Sequence, residues 1–210
     1  MGAFDMLSGK IGAMAACVIA AATVTPSYAK VKIVERTKFY SISGKTGYDL
    51  VIDMNRRGPR HSFLSKAIAQ TRYSIDPSGS FVSDRGSCRI ANARLVLDLT
   101  YTYPKLSGKL PPKLARRWRT FEAATRRHEH THGRIARKLA AELDRLLTRV
   151  SMKRDADCNR LAAKVHREYN ALYDKYEKMQ NDFDRAEHRK GGPVEKSVLR
   201  LVGSGATATQ

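Results

Sequence analysis

Cysteine is scarce in this 210-residue chain, and the placement of the few cysteines excludes one common kind of metal site. Cys17, Cys88 and Cys158 are the only three, and no two of them form a Cys-x-x-Cys pair. Zinc sites built on thiolates use such closely spaced pairs. We therefore do not expect a cysteine-ligated zinc ion.

Long apolar runs are also lacking. The one near-continuous run, residues 11–24, is shorter than the roughly 20 residues that a membrane-spanning helix needs. It is followed by Pro26 and by Ser27-Tyr28-Ala29, which places small residues at the −3 and −1 positions of a cleavage site. We predict that residues 1–29 are a signal peptide cleaved after Ala29, and that the protein is periplasmic or secreted. An uncleaved anchor is the alternative.

Acidic residues are outnumbered by basic ones. The chain has 20 Asp and Glu against 39 Lys and Arg, and removing residues 1–29 leaves the net charge at +19. Such an excess normally indicates nucleic acid or an anionic surface as partner. An exported protein meets cell-wall polymers, lipid head groups and acidic proteins, so we expect an anionic cell-envelope surface and disfavour nucleic acid. A solvated basic face is the alternative.

After processing, two cysteines remain. An even pair in an oxidising compartment predicts one disulfide, between Cys88 and Cys158. Closing a loop of that length stabilises the fold by roughly 4 kcal/mol on the chain-entropy model. Two buried free thiols are the alternative.

The first half of the chain predicts a small mixed α/β part with antiparallel strands. We expect a strand at residues 31–42, a helix that ends near Gly58-Pro59, and a second strand at 71–75 ended by Asp76-Pro77-Ser78-Gly79. The clearest strand is the third, in which apolar and polar residues alternate from Leu95 to Tyr103 before Pro104.

The second half predicts two long helices. From Pro111-Pro112 to Val150, apolar or motif residues recur every three or four positions, as on one face of a helix. A second such stretch runs from Cys158 to Phe183. Because the polar connection between them is short, we expect an antiparallel two-helix hairpin. The fold class is therefore α+β, with one domain at residues 30–190 and a flexible tail at 191–210.

The first helix contains the motif His128-Glu129-His130-Thr131-His132. Histidines four residues apart project from one helix face onto a single metal, and the glutamate beside the first can take the proton of a water that the metal activates. His128 and His132 lie on the apolar stripe, where imidazoles need partners. Satisfied core histidines are the alternative. His130 lies on the opposite side, as a surface or supporting residue.

A working zinc site needs a third protein ligand and an open position. Simple hairpin geometry sets residues 174–180 level with the motif, which argues against His188 unless the helices are offset. Periodicity does not choose among the candidates, which are His166, Glu168, Asp174, Glu177, Asp184, Glu187 and His188.

With these residues in view, the chain resembles the bacterial family called domain of unknown function 922, whose members are described as predicted secreted zinc-dependent proteases. The resemblance covers most of the chain after residue 29. It rests on Tyr40-Ser41-Ile42-Ser43-Gly44 with Leu50, Met54 and Gly58-Pro59, on Thr71-Arg72-Tyr73-Ser74-Ile75, on Cys88, and on Trp118, His128-Glu129, His132 and Cys158.

Near its end the family shows a Tyr-Asp…Thr-x-His-Gly pattern. This chain has Phe183-Asp184-Arg185-Ala186-Glu187-His188 there, one residue shorter in spacing and without the Thr and Gly. If the family's last histidine is a ligand, the resemblance gives that role to His188.

We therefore expect an exported zinc peptidase with a peptide or protein substrate. Zn²⁺ would be held by His128, His132 and His188, and Glu129 would act as general base. The alternative is a non-catalytic, metal-stabilised envelope protein that binds a partner or an anionic surface through its basic faces. A closed site with four protein ligands favours that alternative, whereas an open site favours the enzyme.

Overall fold

The computed structural model of the protein describes residues 31–61 and 65–203. They form a mixed α+β fold with a four-stranded sheet, a small two-stranded ribbon and four helices. In chain order the elements are β1 (Lys32–Ile42), α1 (Gly47–Arg57), β2 (Arg60–His61), β3 (Ser65–Lys66), β4 (Gln70–Asp84), β5 (Ser87–Leu106), α2 (Pro112–Arg149), β6 (Ser151–Lys153), α3 (Asn159–His188) and α4 (Pro193–Val202).

Strand β5 is the centre of the larger sheet, whose order is β1-β5-β4, with β6 paired to the start of β5. β4 is antiparallel to β5, as predicted for the strands of the first half of the chain. β6 is antiparallel to β5 as well, but it lies in the segment that the sequence indicated only as a connection between the two helices. β1 differs, because it pairs with β5 in parallel. The chain reaches β5 only after α1 and β4, so β1 and β5 start from the same end of the sheet.

β4 is longer than the sequence indicated. The prediction that Asp76-Pro77-Ser78-Gly79 ends the strand is wrong, because β4 passes through these residues with a register shift between Ser78 and Ser80. Proline is tolerated here because β4 is an edge strand, where a missing N–H breaks no ladder on the outer side. Gly79 has φ +155°, and a Cβ on it would lie 2.8 Å from Cγ2 of Ile90.

The alternation from Leu95 to Tyr103 does form a strand with one buried face. β5 continues past Pro104 to Leu106, since β4 begins opposite Thr102 and only β1 flanks the end of β5. The apolar face of β5 packs with helix α2, whose buried residues include Leu139, Ala140 and Leu143.

Helix α3 lies against α2 and runs in the opposite direction. Tyr176 of α3 donates a hydrogen bond to Glu142 of α2, and Gln180 contacts His132 further along. The motif turn of α2 therefore faces residues 180–188, not residues 174–180 as a simple hairpin register predicts.

The start of α3 is tied to the sheet. The Sγ atoms of Cys88 on β5 and Cys158 lie at disulfide distance, with the Cα atoms 5.3 Å apart. The buried carboxylate of Asp155 accepts hydrogen bonds from the backbone N–H groups of Arg160 and Leu161, so it satisfies donors that the helix end leaves open.

The flexible tail predicted for residues 191–210 is wrong for residues 193–202, which form α4. Gly191 adopts φ +70°, and Pro193 occupies the first turn of the new helix. The glycines and the proline that were interpreted as the beginning of a tail therefore lead into a helix. Leu201 is fully buried beside α1 and α2, where Arg117 donates a hydrogen bond to the carbonyl of Val202.

The proposed signal peptide, residues 1–29, lies outside the described residues. Within residues 31–61 and 65–203, none of the helices is both long and apolar enough to cross a membrane.

Candidate metal centre

One turn of α2 carries the histidine pair. His128 and His132 leave the helix on the same face, and their Nε2 atoms are 3.2 Å apart. Their side chains are only 12% and 13% exposed. His130 leaves the helix elsewhere, is exposed, and stacks on the ring of Tyr101 with centroids 4.8 Å apart. It is therefore not part of the cluster.

Gly133, the residue after the pair, sets how closely this turn approaches the sheet. A Cβ at Gly133 would lie 1.9 Å from the hydroxyl oxygen of Tyr101 on β5. Any larger residue would push the turn or the tyrosine away. The position of His132 relative to the sheet thus depends on a glycine in the middle of a long helix.

Helix α3 brings a carboxylate to the pair. Oδ1 of Asp184 lies 2.9 Å from Nε2 of His132 and 3.3 Å from Nε2 of His128. With the 3.2 Å between the two nitrogens, three ligand-type atoms form a nearly equilateral triangle. The ring of Phe183 covers one side, 4.9 Å from the ring of His128 and 5.1 Å from that of His132.

The triangle has the dimensions of a zinc site. Bonds of about 2.0–2.1 Å in tetrahedral geometry separate neighbouring ligand atoms by about 3.3 Å. Nδ1 of His132 lies 2.5 Å from the amide oxygen of Gln180, which only accepts, so Nδ1 bears the proton of the neutral ring. Nε2 then points a lone pair at the Asp184 carboxylate, and two acceptors 2.9 Å apart need a proton or a cation between them. The residues therefore fit a zinc ion.

Two more groups lie beside the triangle. Nε2 of His188 is 3.9 Å from Oδ1 of Asp184, and ligand atoms of His128, Asp184 and His188 all lie within 4.8 Å of one another. The side chain of His188 is 57% exposed. Oε2 of Glu187 is 3.7 Å from Nδ1 of His128, a buried nitrogen without a hydrogen-bond partner among the described residues.

Of the seven candidates for the third ligand, those in the last two turns of α3 lie at the pair. Asp184 is nearest, Glu187 lies 3.7 Å from Nδ1 of His128, and the ligand atom of His188 is within 4.8 Å of that of His128. Glu177 lines the same cleft, whereas Asp174 does not. His166 contacts Asn170, and Glu168 pairs with Lys164, both near the other end of α3.

The charges in the metal-free cluster are strongly coupled. Burial alone would raise the pKa of Asp184, but hydrogen bonds to His128 and His132 outweigh it and lower the pKa well below its usual range. Burial would lower the pKa of His132, yet hydrogen bonds to Asp184 and Gln180 raise it. The pKa of His188 is lowered, first by burial and then by the nearby charge of His128. The cluster thus favours an ionised carboxylate and a cation beside it.

Glu129 is the most buried acidic group at the site, with 5% of its surface exposed. Its Oε2 accepts a hydrogen bond of 2.7 Å from the hydroxyl of Thr71 on β4. Burial raises the pKa of Glu129, while the Thr71 hydrogen bond and then His128 oppose the rise. The result is a carboxylate whose proton affinity is increased next to a histidine pair, which suits a general base.

A cleft of about 1050 Å³ opens at the cluster. Its walls are the chain leading into β4, the motif face of α2, the end of α3, and α4. Thr71, Tyr73 and Gln180 line it and contact the site, but the sequence interpretation did not assign them a role there. Gln180 could have been found, because it lies one helical turn before Asp184 on the same face of α3.

A family model described as bacterial protein of unknown function (DUF922) matches residues 37–192. The matched segment contains the whole cluster, from Thr71 to His188. No curated protein and no solved structure matches the chain.

Proposed function

The chain belongs to the bacterial family of unknown function DUF922, and we propose that it is a zinc-dependent peptidase that acts outside the cytoplasm. The observation that supports this most directly is the triangle of His128, His132 and Asp184 beside the buried carboxylate of Glu129. In this proposal the histidine pair on α2 and the acid on α3 would form a zincin-like site.

In this proposal His128, His132 and Asp184 hold the zinc ion. Their atoms lie 2.9–3.3 Å apart, whereas His188 stands 3.9 Å from Asp184 and is more exposed. In this proposal Asp184 takes the third ligand role, and His188, to which the family resemblance gives that role, lies beside it in the group of His128, Asp184 and His188. Three protein ligands leave one position open for water and substrate, as in catalytic zinc sites.

Zinc, when bound, would polarise the scissile carbonyl and lower the pKa of the attacking water to about 7. Glu129 accepts the proton of that water and passes it to the leaving amine. Its raised pKa places it closer to neutrality, where a group both takes up and releases a proton. Thr71 keeps the carboxylate in place through its hydroxyl.

The cleft has room for the proposed substrate. At about 1050 Å³ it lies at the upper end of the roughly 300–1,000 Å³ of ligand pockets, so it can take a segment of a peptide or protein chain. The cleft has both basic and acidic residues, among them Arg127, Arg200 and Glu177.

Export is part of the proposal. It rests on the apolar run of residues 11–24 with the small residues of Ser27-Tyr28-Ala29, and on the distance between Cys88 and Cys158. A disulfide is stable in an oxidising compartment such as the periplasm or the extracellular space.

A second function is favoured by His188. An inward movement of His188 would close the site as a fourth protein ligand, since its ligand atom already lies within 4.8 Å of those of His128 and Asp184. A closed site makes zinc structural. The protein would then be a metal-stabilised envelope protein that binds a partner or an anionic surface through its basic faces.

The deciding experiment combines metal analysis with a peptide-cleavage assay on the wild type, His128→Ala, His132→Ala and Glu129→Gln. We expect one zinc per wild-type chain and little zinc in either histidine variant. Glu129→Gln keeps both histidines, so zinc should remain while cleavage falls by about 10²–10⁴ because the amide accepts no proton.

Three results would decide against the peptidase. Full activity in Glu129→Gln removes the general-base mechanism. Unchanged zinc in both histidine variants removes the site. A wild type that binds zinc but cleaves nothing in a broad peptide library transfers the assignment to the metal-stabilised envelope protein.

A further inference from the structure

Gln180 lies behind the histidine pair and joins three elements. Its Oε1 is 2.5 Å from Nδ1 of His132 on α2, and its Nε2 donates a 3.2 Å hydrogen bond to the carbonyl oxygen of His132. The amide also lies near the hydroxyl of Tyr73 on β4, where it opposes the rise in the pKa of Tyr73 that burial causes. One amide on α3 therefore touches both the ligand helix and the cleft strand.

These contacts fix the orientation of the amide. Exchanging its oxygen and nitrogen would place Oε1 against the carbonyl oxygen of His132, which is acceptor against acceptor. Oε1 therefore faces Nδ1 of His132. An amide oxygen only accepts, so Nδ1 must carry the proton of the neutral ring, and Nε2 is left with the free lone pair.

We propose that Gln180 is a positioning residue that selects this tautomer of His132 and holds its ring ready to bind zinc through Nε2. The inference rests on the proposed zinc site, but it concerns the preparation of the ligand and not the reaction. His128 shows the contrast, because its buried Nδ1 has no hydrogen-bond partner among the described residues.

The role predicts a specific order among variants. Gln180→Glu keeps an oxygen that accepts from Nδ1 of His132 but loses the hydrogen bond to the carbonyl oxygen of His132, whereas Gln180→Met has similar length and loses both contacts. Loss of a group that orients a metal-bound histidine typically weakens metal binding about 10–100-fold. Tyr73→Phe removes only the phenol hydroxyl, and Asn181→Ala changes the next residue along α3, which lines the same cleft.

The first measurement is zinc affinity of the full chain by competition with a chromogenic chelator. We expect Gln180→Met to weaken binding about 10–100-fold, Gln180→Glu to weaken it less because it keeps the acceptor for Nδ1, and Tyr73→Phe and Asn181→Ala to stay close to the wild type. Thermal melting of each metal-free variant accompanies it, because a merely structural role would lower the melting temperature of Gln180→Met and leave affinity unchanged.

The second measurement needs no zinc. The ¹⁵N shifts of the His132 ring are taken in metal-free chains that also carry Asp184→Ala, which removes the acceptor facing Nε2, at a pH where the ring is neutral. In that background we expect the proton on Nδ1 with Gln180 or Gln180→Glu, and a shift towards Nε2 in Gln180→Met.

An unchanged tautomer in Gln180→Met, or equal loss of zinc affinity in the Met and Glu variants, overturns the positioning role. A failure of the peptidase proposal has a different signature, namely a wild type with the expected tautomer that binds zinc without cleaving peptides.

Discussion

Thr71 on the edge strand β4 donates a hydrogen bond of 2.7 Å to Oε2 of Glu129 on the ligand helix α2, and the same hydroxyl lies 3.0 Å from the carbonyl oxygen of Glu129. A cleft wall and the proposed general base are thus joined by one side chain. The second carboxylate oxygen of Glu129 takes no part in this hydrogen bond, so it can accept a hydrogen bond from a water molecule.

Thr71→Val tests this contact, because it preserves shape and removes the hydroxyl. The Thr71 hydrogen bond lowers the pKa of Glu129 against the larger effect of burial, so its loss should raise that pKa further. The ionised base then forms only at higher pH, and the acid limb of the kcat/KM profile should move upward while zinc content is unchanged. Thr125→Val, also in the cleft, is the control. An acid limb at the wild-type pH would contradict the role of Thr71.

The ligand set can be resolved with Asp184→Ala and His188→Ala. The shorter distances of Asp184 to both histidines predict that its loss weakens zinc binding most, by roughly a hundredfold or more, since one of three ligands disappears. His188→Ala should retain most of the affinity. The check is zinc titration of both variants in parallel. Equal losses would indicate a closed site with four protein ligands and favour the non-catalytic function.

Gly133→Ala should destabilise the protein although alanine is the better helix former. The new methyl group would meet the hydroxyl of Tyr101 at 1.9 Å, and overpacking typically costs about 1–3 kcal/mol. Gly108→Ala is the matched control, because a Cβ there meets nothing within 4 Å among the described residues. Urea unfolding of the two variants gives the comparison. A Gly133→Ala protein as stable as the wild type would show that α2 is not held so close to the sheet.

The pair Cys88 and Cys158 should be oxidised in the exported protein. In the unreduced, denatured chain a thiol reagent should label neither of them, and replacing both by serine should lower the free energy of unfolding by roughly 4 kcal/mol on the chain-entropy model. The measurements are mass spectrometry after labelling and denaturant unfolding. Labelling of both cysteines without reductant would rule out the bond.

Asp53 predicts a pH dependence of stability that is independent of the metal. Its carboxylate accepts hydrogen bonds from the backbone of Ser43 and from Arg56 and Arg57, which lower its pKa to about 2. A lowered pKa in the folded state stabilises the protein above the unfolded value of about 3.9 and loses that effect as pH falls towards 2.

Asp53→Asn should therefore melt below the wild type at pH 7, and the gap should narrow as the pH falls from about 4 to 2. Asp157→Asn, an exposed carboxylate at the start of α3, provides a comparison on another element. A gap that stays constant over this range would mean that the charge of Asp53 does not matter.

Regular patterns made much of the fold predictable. The period-2 alternation from Leu95 to Tyr103 corresponds to β5, and the stripe from Leu114 to Val150 corresponds closely to α2. Each of these two elements buries only one of its faces, so the spacing of the apolar residues shows which face is directed towards the core. The bulge at Ser78 and the helix after Pro193 were missed because glycine and proline indicate a turn, a bulge or a helix start equally well.

The site was predictable only in part. The motif identifies His128, Glu129 and His132 because their chemistry is local to one helical turn. The partner from α3 depends on how far two helices slide past each other, and residues 177, 180, 184, 187 and 188 all lie near the same face. The position of α3 along α2 depends on β6 and on the contact of Cys158 with Cys88, and the periodicity of the two helices reveals neither of them.

Cys158 fixes the start of α3 to Cys88 on the sheet, so a change in the direction of the helix at this end displaces its far end the most. The helix is anchored to the sheet at one end and presents Asp184 near the other, about 39 Å away at 1.5 Å per residue. A tilt of about 2° at the anchored end would swing the carboxylate by about 1.4 Å over that length, far outside the roughly 0.2 Å tolerance of a metal–ligand distance. Small angular changes at residues remote from the cleft should therefore be amplified into large changes of zinc affinity.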